Sequence, residues 1–120
     1  PTIYVDEMHF TNVIFNLMDN AVKHRKPDEE MYLKVSTWND EHNVCMSIVD
    51  NGLGIKKENL KKIFEKFYRV HTGNVHDVKG FGLGLAYVKK IVDLHKGTIH
   101  VESEYGKGTK FIITLPIIKN

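Results

Sequence analysis

No glycine occurs in the first 51 residues of this 120-residue chain; all nine lie from Gly52 onward. Cysteine is almost absent too. The single Cys45 excludes an internal disulfide framework and a Cys-rich zinc site. It reads as a small core residue and fits a reducing compartment. No apolar run approaches the roughly 20 residues of a membrane helix. Asp6, Glu7 and His9 break up the early apolar residues, so no signal peptide opens the chain, and the segment reads as soluble. Seventeen basic residues against fifteen acidic give a net charge of +2, too weak a bias to argue for nucleic acid or an anionic membrane. What is present is ordinary globular composition, 42% hydrophobic and 27% charged, which excludes disorder and a rod. One domain spanning residues 1–120 is expected, long enough to bury a core without staples. The chain opens at Pro1 without Met, and is expected to be cut from something longer.

Periodicity places the elements. Asp6 to His24 reads as a helix with its apolar stripe on Phe10, Val13, Ile14, Leu17 and Ala21, capped by Thr2 or Asp6. Glu30 to Asn39 reads as a strand with Leu33, Val35 and Thr37 on one face, and Asn43 to Val49 as a second. Helical spacing returns from Lys56 to Arg69 through Leu60, Ile63, Phe64 and Phe67, and again from Leu83 to Lys96. Gly97 stands where a left-handed helix cap belongs. Val70 to Lys79 has no periodicity and reads as a long loop. Thr98 to Glu104 and Thr109 to Pro116 read as strands joined by a Tyr105–Gly108 hairpin turn. This order predicts a sheet covered on one face by helices.

Three motifs offer chemistry. On the first helix Asn16 and Asn20, four apart, share a face with Lys23, and His24 lies a little further round. Two amide oxygens beside an ammonium suit a hard cation carrying phosphates; the same spacing also describes a solvated polar stripe. Asp50-Asn51-Gly52-Leu53-Gly54 ends a strand. A carboxylate there needs a partner and can accept from the amino group of a base; the alternative is a plain turn. Gly80-Phe81-Gly82-Leu83-Gly84-Leu85 enters a helix, where free N–H groups and the dipole favour an anion. Leu85 and the polar loop ahead of it do not fit the dinucleotide fingerprint, and no P-loop pattern occurs in the chain.

In order, Asn16-x-x-x-Asn20-Ala21, Asp50-x-Gly52-x-Gly54, Phe64-Glu65-Lys66-Phe67, Gly80-x-Gly82-x-Gly84-Leu85 and Gly106-x-Gly108-Thr109 closely resemble the N, G1, F, G2 and G3 boxes of sensor histidine kinases. The resemblance is to their catalytic, ATP-binding domain and spans almost the whole chain. It implies an α/β two-layer sandwich of the Bergerat type: a mixed sheet of about five strands covered on one face by three helices, with a lid at about 70–82. It implies that Asp50 accepts from the adenine amino group, with Gly52, Gly54 and Thr109 near that contact and Ile55 lining the base pocket. Asn20, with Asn16 beside it, would bind Mg²⁺ between the phosphates. Lys23 and Arg69 would approach phosphates, and Gly80, Gly82, Gly84 and the Leu85 backbone would wrap them. His24 stands where the family often has tyrosine.

Gyrase-like and chaperone-like relatives carry a glutamate base at the position of Asn16. An amide cannot take that proton, so ATP hydrolysis is disfavoured and the γ-phosphoryl awaits an external nucleophile. The resemblance implies that this nucleophile is a histidine on a separate dimerisation domain of the same full-length protein, placed before Pro1, with a response regulator downstream. His76-Asp77-Val78-Lys79 shares part of the phosphoacceptor signature, but it lies in the aperiodic loop and Phe81 stands where proline is usual. The domain is expected to be cytoplasmic and monomeric by itself, without nucleic acid as partner, any membrane anchor lying outside this segment. Two other readings remain open: a serine-directed kinase of the same fold, and a non-catalytic nucleotide-binding or docking module.

Overall fold

The computed structural model describes residues 3, 5–65 and 84–117. Helix α1 runs Glu7–Lys23, followed by strands β1 (Leu33–Asn39) and β2 (Asn43–Asp50), the short helix α2 (Lys57–Leu60), helix α3 (Gly84–Leu94), and strands β3 (Thr98–Glu104) and β4 (Gly108–Pro116). Asp6 caps α1, its carboxylate accepting from the His9 N–H. The apolar stripe then buries Val13, Leu17 and Ala21 almost completely.

Among the described residues the sheet has four strands in the order β1-β2-β4-β3, and every neighbouring pair is antiparallel. The expectation of about five strands in a mixed sheet is corrected here. The connection through α3 does bring β3 back in the direction of β2, as in a mixed sheet. But β4 inserts between them and separates the two parallel strands. On the helix-covered face the register stacks layers: Ile48, Phe111 and Val101 in one, Met46, Ile113 and Ile99 in the next. Phe111, Ile48 and Ile113 are at most 2% exposed. They meet Val13 and Leu17 of α1 and Val88, Ile91 and Val92 of α3 in a single cluster. Cys45 is buried and unpaired in a disulfide, its sulfur 3.7 Å from the Thr114 hydroxyl.

Several boundaries differ from the sequence-based expectation for identifiable reasons. β1 starts at Leu33 rather than Glu30, because the Asn51 side chain replaces the ladder over the preceding residues. Its Oδ1 accepts from Tyr32 N–H at 2.7 Å and its Nδ2 donates to Glu30 O at 3.0 Å. β1 is also an edge strand, which leaves Val35 half exposed. The helix expected from Lys56 shrinks to four residues. Backbone bonds spaced by three, Asn59 to Lys56, Lys62 to Asn59 and Glu65 to Lys62, carry the chain onward as turns. These turns still bury Ile63 and pack Leu60 and Phe64 on the core. Residues 66–69 lie outside the described residues, as does Thr2.

At the end of α3 the left-handed position falls on Lys96 (φ 60°), not Gly97. Lys96 N–H donates to Asp93 O and Gly97 N–H to Val92 O, each at 2.9 Å, the paired bonds of a Schellman motif. Gly97 serves by its size: a Cβ there would overlap the Thr114 carbonyl oxygen and approach Leu115 Cδ2 to 2.7 Å.

Candidate functional site

One layer of the sheet is polar. At the end of the helix-covered face, Asp50 of β2 pairs with Thr109 of β4, and Thr109 pairs with Ser103 of β3. Alternation puts all three side chains on the face that carries Ile48, Phe111 and Val101 one layer deeper. Asp50 and Thr109 are buried, 8% and 6% exposed. A carboxylate at that depth is costly when charged. Burial accordingly pushes the Asp50 pKa above its ordinary value, opposed by the backbone N–H groups of Gly52 and Thr109 and by the nearby His24 ring. The Gly52 N–H reaches Asp50 Oδ1 at 2.8 Å.

The C-terminal end of α1 is locked to this layer. Leu53 N–H donates to His24 O at 2.8 Å, and a Cβ on Gly52 would lie 2.6 Å from the same oxygen. Only glycine lets the loop approach α1 this closely. His24 Nδ1 donates to Asn20 O at 2.9 Å, fixing the ring beside the polar layer. The hairpin side is equally tight. A Cβ on Gly54 would overlap the Glu104 carbonyl oxygen, and Gly106 N–H donates to Leu53 O at 2.6 Å.

Further toward the N-terminus of α1, Asn16 meets the start of α3. Its Nδ2 donates to Asn12 O at 2.8 Å, and its amide oxygen lies on the α3 side. A Cβ on Gly84 would lie 3.3 Å from that oxygen. The eight residues from Asn16 to His24 correspond to about 12 Å of helix axis. Along this length α1 joins the buried carboxylate at one end to the N-terminus of α3 at the other. Asn20 and Lys23 lie between, half-buried, and the Lys23 ammonium pairs with Asp19 at 2.8 Å.

Of the residues singled out from the sequence, Asn16, Asn20, Lys23, His24, Asp50, Gly52, Thr109 and Gly84 therefore lie along the Asn16–His24 stretch of α1 or against the two ends of that stretch. Ile55 is buried in the core cluster next to them. Leu85 packs against that cluster. Arg69, Gly80, Gly82 and the loop expected at 70–82 lie outside the described residues. Two residues escaped sequence reasoning: Asn51, whose amide pins residues 30–32, and Ser103, whose hydroxyl bonds the Ile55 N–H, the Gly108 carbonyl and the Thr109 hydroxyl. Only the alternation of β3 opposite Thr109 could have pointed to Ser103.

The oxygen donors fit a hard cation whose remaining ligands are phosphate oxygens. Among the described residues no group of three or more His, Cys, Asp or Glu side chains could hold a metal by itself. No helix among them is long and apolar enough to cross a membrane.

Sensor protein RprX of Bacteroides fragilis is 71% identical over 120 residues, all of this chain and 23% of that protein. Sensor protein CiaH of Streptococcus pneumoniae is 40% identical over 116 residues, 97% of this chain and 26% of that protein. The chain thus spans about a quarter of the length of these curated relatives. Among solved structures, the mycobacterial sensor histidine kinase MprB superposes with a TM-score of 0.81 at 29% identity, over 95% of this chain and 76% of that one. The nucleotide-free catalytic domain of histidine kinase ThkA gives 0.77 at 30% identity, over 95% of this chain and 71% of that one. The profile described as histidine kinase-, DNA gyrase B- and HSP90-like ATPase matches residues 5–119. With sensor proteins as its relatives and histidine kinase catalytic domains sharing its fold, this chain belongs to the histidine kinase-, DNA gyrase B- and HSP90-like ATPase family.

Proposed function

We propose that this chain is a single catalytic domain that binds ATP with Mg²⁺ and donates the γ-phosphoryl to a histidine on a separate domain of the same full-length sensor kinase. The observation that carries this reading is the two-ended line along α1. A buried carboxylate with no room for a bulky neighbour stands at one end, and an amide oxygen facing a helix N-terminus stands at the other. An elongated ligand with a base and a polyphosphate matches both ends.

In this reading Asp50 accepts from the adenine amino group. Ile55 lines the base pocket, and Gly52, Gly54 and Thr109 stand around the contact. Asn16 and Asn20 supply oxygens to Mg²⁺, which when bound neutralises phosphate charge. Lys23 and Arg69 supply cations, Lys23 exchanging its Asp19 partner for a phosphate. Gly80, Gly82, Gly84 and the Leu85 backbone surround the phosphates, and His24 holds the nucleotide's flank. Asn16 replaces the base that would activate water, so the domain holds ATP without efficient hydrolysis. Transfer then rests on positioning and charge neutralisation. The downstream partner is a response regulator, and the isolated domain is monomeric and cytoplasmic, with any membrane anchor elsewhere in the full-length protein.

The test is phosphotransfer in two parts. The isolated chain should bind ATP in a titration yet take up no label from γ-labelled ATP. Adding a histidine-bearing dimerisation domain of its own sensor should give acid-labile label on that domain alone. Label on this chain by itself, lost in His76→Ala, would falsify the two-domain reading.

A further inference from the structure

We propose that Ser103 is a positioning residue that fixes the direction of the Thr109 hydroxyl proton and thereby selects a 6-amino purine over a 6-keto purine. The inference rests on the reading of Asp50 as the base contact.

Proton counting carries the argument. The Ser103 hydroxyl oxygen lies 2.8 Å from the Ile55 backbone nitrogen, 2.8 Å from the Gly108 carbonyl oxygen and 2.9 Å from the Thr109 hydroxyl oxygen. Ile55 N–H can only donate, so Ser103 accepts there. Gly108 O can only accept, so the one Ser103 proton goes to it. A serine hydroxyl has a single proton. The Ser103–Thr109 contact must therefore use the proton of Thr109. The Thr109 oxygen is left with lone pairs and no proton to offer.

Thr109 stands directly opposite Asp50 in the β2–β4 register, on the same face. The Asp50 carboxylate, when ionised, is also acceptor-only. The end of the pocket thus presents two adjacent acceptors and no side-chain donor from this pair. An exocyclic amino group brings two N–H donors and satisfies both, directly or through one water. A 6-keto oxygen faces two acceptors and is rejected. Sites built this way discriminate because the mismatched ligand leaves buried polar groups unpaired.

The experiment compares ATP with inosine triphosphate, which differs at the 6-position, by titration of the folded chain. In Ser103→Ala the Thr109 proton is released and can turn toward a 6-keto oxygen. Inosine triphosphate should then bind about fivefold tighter, the worth of one recovered hydrogen bond, while ATP affinity stays within about twofold. Ser103→Thr, which keeps the hydroxyl, should restore the original preference. A merely structural role for Ser103 would weaken both nucleotides together and leave their ratio unchanged, which overturns the proposal. Ser103→Ala also unpairs Ile55 N–H and Gly108 O, so Thr109→Val provides an independent arm that leaves those bonds in place. The preference should fall there too, and Ser103→Ala added to Thr109→Val should not lower it further. Full preference retained in Thr109→Val overturns the proposal even if Ser103→Ala does not fold. Wild-type protein that binds both nucleotides equally overturns the selectivity role alone. Wild-type protein that binds neither removes the nucleotide reading on which it rests.

Discussion

The β3–β4 hairpin carries two glycines in the left-handed half of backbone space, and they should respond very differently to the same substitution. Gly106 has φ 90°, and nothing lies within 4 Å of the place a Cβ would take. Gly106→Ala therefore incurs only backbone strain, about 1–2 kcal/mol, part of it offset by about 0.4–1 kcal/mol from the stiffer unfolded chain. A net loss of about 1 kcal/mol follows. Gly108 has φ 132°, and a Cβ there would overlap the Asp50 carbonyl oxygen and reach 3.0 Å from Asn51 Cα. Neither neighbour is a flexible side chain. The strain of about 1–3 kcal/mol is joined by separation of the β2–β4 pair at its end, at about 1 kcal/mol per lost backbone bond. Gly108→Ala should thus cost about 3–5 kcal/mol. With a urea slope of about 1–3 kcal/mol/M, its unfolding midpoint should fall about 0.7–4 M below that of Gly106→Ala. Urea titration followed by far-UV circular dichroism measures both. Midpoints within about 0.3 M of each other would refute the claim that backbone crowding against Asp50 governs this position.

Four other outcomes follow from the site and its supports. Asp50→Asn should weaken ATP binding by at least about tenfold, since the amide can present the wrong group; unchanged affinity in a folded variant would remove the adenine contact. Because burial raises the Asp50 pKa above 3.8, the folded state keeps this proton at pH values where the unfolded chain has released it. The contribution of this group to stability is therefore greatest below 3.8 and falls as pH rises through the raised folded value. ATP affinity should run the other way, rising with ionisation over the same window. Asp50→Asn should flatten both profiles, as read by thermal melts and titrations across pH. Asn20→Ala should leave a folded protein whose ATP binding no longer improves with added Mg²⁺, measured by paired titrations with and without the ion. Lys96→Gly should stabilise the fold by about 0.5 kcal/mol, relief of the left-handed strain exceeding the entropy that glycine loses; a lower melting temperature would contradict it.

What the sequence makes legible is whatever depends on neighbours along the chain. Asp6 announces the start of α1, the spacing of Val13, Leu17 and Ala21 announces its buried face, and alternation announces the core faces of β2 and β4. Asp50, Gly52, Asn16 and Gly84 were visible as short motifs for the same reason. Features settled across the fold were not. Nothing near Glu30 signals that an amide 21 residues later will replace its strand partner. Gly97 looks like a helix cap because caps favour glycine, yet the space beside Thr114 claimed it and left the strained conformation to Lys96. The sheet order could not be read because the direction of β3 fits a mixed sheet until β4 is placed beside it. Ser103 carries no motif, since its importance lies in who stands opposite.

The insertion of β4 between β2 and β3 also governs when the polar layer comes into existence. β1–β2 and β3–β4 are hairpins that can form from local contacts, but Asp50 and Thr109 belong to different ones. Their pairing closes a loop of nearly 60 residues (109 less 50), which includes α2 and α3. Long-range closure of this kind is slow and comes late. The Asp50 end of the line is therefore among the last things built, and neither hairpin contains it. A ligand held there cannot nucleate folding. Its binding energy falls on the far side of the barrier, where it retards escape from the native state and leaves the rate of arrival nearly untouched.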